Sequence, residues 1–86
     1  MTVSRVVAKI LVAMKANPKN VRFSDLCRVC DDYLGAPRQG GGSHRVYSVP
    51  LTGQPPINIQ EGPGGKAKTY QVRQVLRALV DLGVKE

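Results

Sequence analysis

The chain holds a single histidine, His44, in the stretch GGGSHRVYSV from Gly40 to Val49. Histidine is the side chain whose ordinary titration lies nearest neutral pH, which suits it to move protons. Three glycines precede it, and glycine entering a strand marks a place where something comes close to the backbone or where the chain bends sharply. Arg38 and Arg45 flank the histidine with charge suited to a phosphate. An imidazole beside a phosphodiester can draw the proton from a ribose 2′-hydroxyl, which then attacks the adjacent phosphorus. A cation such as Arg45 or Lys68 can stabilise the charge that develops. This chemistry needs RNA and no metal. The plainer reading is a partly buried histidine that only makes hydrogen bonds.

The remaining chemistry-bearing residues argue against other reactions. Cys27 and Cys30 form CRVC, a spacing used in zinc sites and redox pairs. A zinc site needs four ligands and His44 is the only other usual donor, while the redox motif wants a strand before its helix. Positions three apart share a helical face, so these read as two small buried apolar side chains. Asp31 and Asp32 are adjacent on a helix and diverge, which leaves no carboxylate cluster for two-metal phosphodiester chemistry. The expectation is a site without metal or cofactor.

The chain has 86 residues, 42% of them hydrophobic. A domain this small buries about 60% of its unfolded surface, so a deep enclosed site is not expected. Apolar residues at Val3, Val6, Val7, Ile10, Leu11 and Met14 follow one helical stripe, ending before the turn NPKN. A second helix is expected from Ser24 as N-cap, with Leu26, Val29, Cys30, Tyr33 and Leu34 inward and Gly35 closing it. The period then changes. Segments 43–49 and 56–61 suit strands, joined by a hairpin loop over PLTGQP, and a short strand over 36–39 would complete a three-stranded meander. A last helix is expected to be capped by Thr69, with Val72, Val75, Leu76, Leu79 and Val80 inward and its end at Gly83. The expected fold is one α+β domain, an antiparallel sheet with helices on one face.

Thirteen Lys and Arg stand against six Asp and Glu, giving +7, a balance that favours a polyanionic partner, with nucleic acid first. Between Ala36 and Val80 the cations are Arg38, Arg45, Lys66, Lys68, Arg73 and Arg77, against Glu61 alone. A membrane surface is the competing anion, but the first helix carries only Arg5, Lys9 and Lys15. The opening MTVSRVVAKI lacks the apolar core of a secretory signal and no run suffices to span a bilayer, so a cytoplasmic protein is expected. Lys66 and Lys68 stand before the last helix, where cations are electrostatically disfavoured, and read as RNA contacts or as a solvated loop. Arg73 and Arg77 share a face of that helix, either as backbone contacts or as ordinary solvent-facing cations. Tyr47 and Tyr70 either stack on unpaired bases or pack in the core.

The segments NPKNVRFSDL, PRQGGGSHRVYSV and INIQ followed by KAKTYQVRQVLRAL together resemble the HicA family, messenger-RNA-cleaving toxins of bacterial toxin-antitoxin pairs. The resemblance runs from about Val6 to Gly83. It implies a double-stranded-RNA-binding-domain-like core over 24–83, with the helix in 1–17 as an addition. It implies His44 of Gly42-Ser43-His44 as the catalytic residue, and lysines gripping phosphate at Lys66 and Lys68. The residues themselves add Gly42, Ser43, Arg45 and Arg73 as expected RNA contacts, with Ser43 as an orienting hydroxyl. It also implies a HicB-like antitoxin that covers a free toxin expected to be monomeric, forming a hetero-oligomer with it. Two positions depart from the pattern. Gly41 stands where many relatives carry a basic residue, and Arg45 follows the histidine where an apolar residue or second histidine is common. Two other readings compete with a toxin enzyme: a non-catalytic RNA-binding module using the same basic surface, and a domain that binds an acidic protein.

Overall fold

The computed structural model describes residues 5–41 and 44–84, with the backbone alone at 39–41. Helix α1 spans Arg5–Ala16 and buries Val7, Leu11 and Met14. Ile10 packs partly against the same core, while Val6 lies outside the stripe with 48% exposure. Val3 lies outside the described residues. Pro18 follows the helix in a turn closed by Asn20 N–H donating to the Asn17 carbonyl at 3.1 Å.

Helix α2, Phe23–Leu34, turns Phe23, Leu26, Cys27, Val29 and Cys30 inward, with Tyr33 and Leu34 partly covered. It begins two residues before a Ser24 cap would allow: Arg22 is the N-cap, in an extended conformation and with no side-chain cap. Tertiary pairing accounts for the shift. Arg22 forms an antiparallel bridge with Lys66, and Ala67 N–H donates to the Val21 carbonyl at 2.8 Å. These contacts hold 21–22 extended, so the helix starts at the next residue. Gly35 ends α2 at φ +85, where a side chain would be strained.

The strands are β1 Gln39–Gly41, β2 His44–Tyr47 and β3 Ile57–Gln60, antiparallel in the order β1-β2-β3. The first therefore lies further along the chain than the expected 36–39, because its register is set by pairing Gln39 with Val46 and Gly41 with His44. The β2–β3 connection turns at Leu51–Gln54, with Gln54 N–H donating to the Leu51 carbonyl at 3.2 Å and Gly53 at φ +83.

After β3, Glu61 bridges Ala67 across a short 3-10 turn at Pro63–Gly65. Helix α3, Thr69–Asp81, then begins with Lys68 as its N-cap. Thr69 is the first helical residue rather than the cap, since the bridge at Ala67 keeps the chain extended up to Lys68. The buried face of α3 is Gln71, Val72, Val75, Ala78 and Leu79. It is rotated from the expected stripe, leaving Leu76 partly covered and Val80 at 61% exposure. Its end is a Schellman closure: Val84 N–H donates to the Leu79 carbonyl and Gly83 N–H to that of Val80, both at 2.9 Å, with Gly83 at φ +85.

The architecture is α+β. Helix α1 packs on α2, α3 packs on β3 and on α2, and one hydrophobic core joins residues of all three helices to Tyr47, Ile57 and Ile59 of the sheet. No helix of the described residues is long and apolar enough to cross a membrane.

Candidate functional site

Alternation along the strands decides which side chains can act together. Residues directly opposite in an antiparallel pair share a face, and the register pairs Tyr47 with Ile57, Arg45 with Ile59, Val46 with Asn58 and His44 with Gln60. Ile57 and Ile59 are buried against the helices, so Tyr47 and Arg45 point to that side. His44, Val46, Asn58 and Gln60 therefore occupy the opposite face, where His44, Asn58 and Gln60 are exposed and Val46 is buried.

His44 is the first residue of β2, between Gly41 of β1 and Gln60 of β3. The cross-strand residue on the β1 flank, Gly41, is a glycine. On the other flank, Gln60 N–H donates to the Gln71 side-chain oxygen at 2.9 Å and so points away from β2. That makes His44 and Gln60 a pair without mutual backbone hydrogen bonds, the kind whose Cα atoms lie about 4.5 Å apart with side chains close together. The imidazole and the Gln60 carboxamide are thus neighbours on an open surface. Gly42 and Ser43 lie outside the described residues.

Arg45 does not join His44. Strand alternation sends it to the helical side, where its Nη1 lies 3.6 Å from Asp31 Oδ2 and donates to the Tyr47 hydroxyl at 3.4 Å. Tyr47 is fully buried and its hydroxyl donates to Asp31 Oδ1 at 2.6 Å. Burial, reinforced by this bond to Asp31, pushes the Tyr47 phenol well above its ordinary range. The hydrogen bond to Tyr47 raises the Arg45 guanidinium further. Arg45 is therefore a clamp between β2 and α2, which corrects the expectation that it shares a phosphate with His44. Tyr47 is likewise a core residue and not a stacking platform.

A cleft of about 410 Å³ opens on this helical side, lined among others by Ser24, Cys27, Arg28, Asp31, Arg45 and Glu61. It brings two arginines together with two carboxylates, so it has no single charge preference, and His44 is not part of it. Cys27 and Cys30 are free and buried, and burial pushes both thiols up, which keeps them protonated and poor nucleophiles or metal ligands.

The other expected cations gather where β3 leaves the sheet. Lys66 is exposed and its ammonium donates to the Asn20 side-chain oxygen. Lys68 is half-buried, and its side chain lies over Gly62, where a Cβ would stand 3.5 Å from Lys68 Cγ and 3.2 Å from the Lys66 carbonyl oxygen. Both lysines follow Gln60 within eight residues along the chain, at the end of the sheet that carries His44. Arg73 is exposed on α3, one turn before Arg77, which is 4.0 Å from Asp81.

Two residues of this end escaped the sequence reading. Gln71 is buried, and it joins the Gln60 amide to the Tyr70 hydroxyl, to which its Nε2 donates at 3.2 Å. The available signal was a polar residue four positions before Val75, on the buried stripe of α3. Gln60 had no comparable signal, since a glutamine alternating with Ile57 and Ile59 reads as an ordinary solvent-facing strand residue.

Comparison of the chain with protein-family models, curated proteins and solved structures gives no match.

Proposed function

We propose that the chain is a metal-independent endoribonuclease of the HicA type, a toxin that cuts messenger RNA in the cytoplasm and is held in check by a HicB-like antitoxin. The order α2, β1, β2, β3, α3 is compatible with a double-stranded-RNA-binding-domain-like core to which α1 is added. The observation that carries the reading is the placement of His44, exposed on the open sheet face between a glycine and a glutamine, at the end of the sheet from which the Lys66 and Lys68 segment departs. As general base, His44 takes the 2′-hydroxyl proton. The 2′-oxygen attacks phosphorus, the P–O5′ bond breaks and the 5′-oxygen takes a proton from water, while the imidazolium returns its proton to solvent; the products are a 2′,3′-cyclic phosphate and a 5′-hydroxyl. Lys68 and Lys66 hold the phosphate chain, with Arg73 further along α3.

The test is cleavage of mixed RNA in excess EDTA by the protein and by His44→Ala, with circular dichroism on both. Cyclic-phosphate ends from the parent, and a loss of about 10² to 10⁴ in rate for the variant, are expected of one general acid or base. Equal cleavage by the variant, or none by the parent in EDTA, overturns the reading. A second reading, a non-catalytic RNA-binding module, is favoured by one observation. The cross-strand neighbours of His44 are glycine and glutamine, neither of which transfers protons at neutral pH. It is supported if RNA binds and stays intact.

A further inference from the structure

Gln71 is the one buried polar side chain among the described residues, and burying a carboxamide is unfavourable unless its polar atoms are bonded. Here its oxygen accepts from Gln60 N–H at 2.9 Å and its nitrogen donates to the Tyr70 hydroxyl at 3.2 Å. A single carboxamide thus ties the tip of Tyr70 to the strand residue opposite His44. Tyr70 is 65% exposed, the most exposed large hydrophobic side chain described. Its ring is not part of the hydrophobic core, yet its hydroxyl is held by the Gln71 carboxamide.

We propose that Tyr70 and Gln60 form a nucleobase subsite beside His44, in which an unpaired base stacks on the Tyr70 ring while the Gln60 carboxamide meets the base edge. This rests on the ribonuclease reading and narrows its substrate to RNA that is single-stranded at the cut. Aromatic rings at protein surfaces hold single strands because every base has a π-face, whereas a duplex hides those faces by stacking and pairing. Glutamine offers both a donor and an acceptor, so it can meet any base edge and discriminate among them. The surplus of cations, +7 for the chain, favours a nucleic acid over an acidic peptide on this surface, because the lysines at 66 and 68 can follow a run of phosphates. The Gln71 link ties the stacking ring to the backbone of Gln60, the residue paired with His44, so ring and imidazole belong to the same end of the sheet.

The test is carried out in the His44→Ala background, so that RNA is bound and not consumed. A labelled single-stranded oligoribonucleotide and its counterpart of the same length made of abasic residues are titrated against the background protein and against added Tyr70→Ala or Tyr70→Phe. Tyr70→Ala is expected to weaken binding of the base-bearing strand about 5- to 150-fold, the loss of one stacked base. It should leave the abasic strand unchanged, and Tyr70→Phe, which keeps the ring, should stay near the parent. Adding Gln60→Ala is expected to change the ranking among homopolymers of the four bases. A Tyr70→Ala protein that binds both strands as its parent does, or loses both equally, removes the subsite while leaving the ribonuclease reading intact. Failure of the parent to bind any RNA at physiological salt removes both readings together.

Discussion

Replacing Tyr47 by Phe tests the division of β2 into an inner and an outer face. The substitution removes one oxygen from a fully buried ring, and with it a 2.6 Å bond to the Asp31 carboxylate. Hydrogen bonds to charged groups contribute about 1.5 to 3 kcal/mol. The lower part of that range applies, because the Asp31 side chain keeps 43% of its exposure and water can resolvate its oxygens once the phenol is gone. A loss of about 1.5 to 2 kcal/mol is therefore expected, which for a chain of this size lowers Tm by about 10 °C. The Arg45–Asp31 pair, at 3.6 Å with both partners partly exposed, contributes less than about 1 kcal/mol, so Arg45→Met should cost less than Tyr47→Phe. Urea unfolding of Tyr47→Phe, Asp31→Ala and the double variant gives the coupling directly, expected near 1.5 kcal/mol, a typical size for residues in contact. RNA cleavage per folded molecule should be unchanged in Tyr47→Phe, because the ring faces away from His44. A coupling near zero, or an Arg45→Met variant less stable than Tyr47→Phe, refutes the clamp.

Alkaline stability follows from the buried acids. Tyr47, Cys27 and Cys30 are all raised, mainly by burial, so above their ordinary range the unfolded chain releases protons that the folded chain keeps. Their contribution is whole below about pH 8.5 and falls as pH rises past the ordinary thiol and phenol values. Tm should drop between pH 8 and 10.5, and drop less in Cys27→Ala/Cys30→Ala; a flat profile contradicts the burial of these groups. For the proposed RNA surface, log-log salt plots of single-strand binding in the His44→Ala background should lose about 0.7 in slope for each of Lys66→Ala and Lys68→Ala. Unchanged slopes would show that neither lysine holds a phosphate.

The fold was legible where one residue's surroundings are set by its own neighbours in sequence. Ile57 and Ile59 against Asn58 and Gln60 give a strand with one buried face, and Gly35 and Gly83 mark helix ends because a positive φ is a local requirement. Helix starts were not legible, because Ser24 and Thr69 are good caps by propensity while the bridges of Arg22 with Lys66 and Glu61 with Ala67 decide where the extended chain stops. The face of His44 was ambiguous for a different reason. In HRVYSV both alternating sets hold apolar residues, Val46 on one and Tyr47 and Val49 on the other, so the period of two could not choose between them. Only the packing of Tyr47 under α2 sends Arg45 inward and His44 outward. The sequence pairing of His44 with Arg45 therefore failed through adjacency itself, since neighbours along a strand lie on opposite faces.

That opposition bears on what the site can select. Arg45 beside His44 would have made a compact phosphate pocket able to hold a mononucleotide. With Arg45 committed to Asp31 on the other side of the sheet, His44 stands on an open surface beside Gln60, and the cations that can reach a phosphate lie in the segment beyond β3. Contacts spread over that distance engage several nucleotides at once, and each exposed contact is weak alone. Under the ribonuclease reading, affinity must then accumulate along a strand, so cleavage should depend on substrate length while a dinucleotide bearing the same scissile bond is turned over poorly. Under the same reading, restraint of so exposed a histidine falls to the proposed antitoxin covering the sheet face.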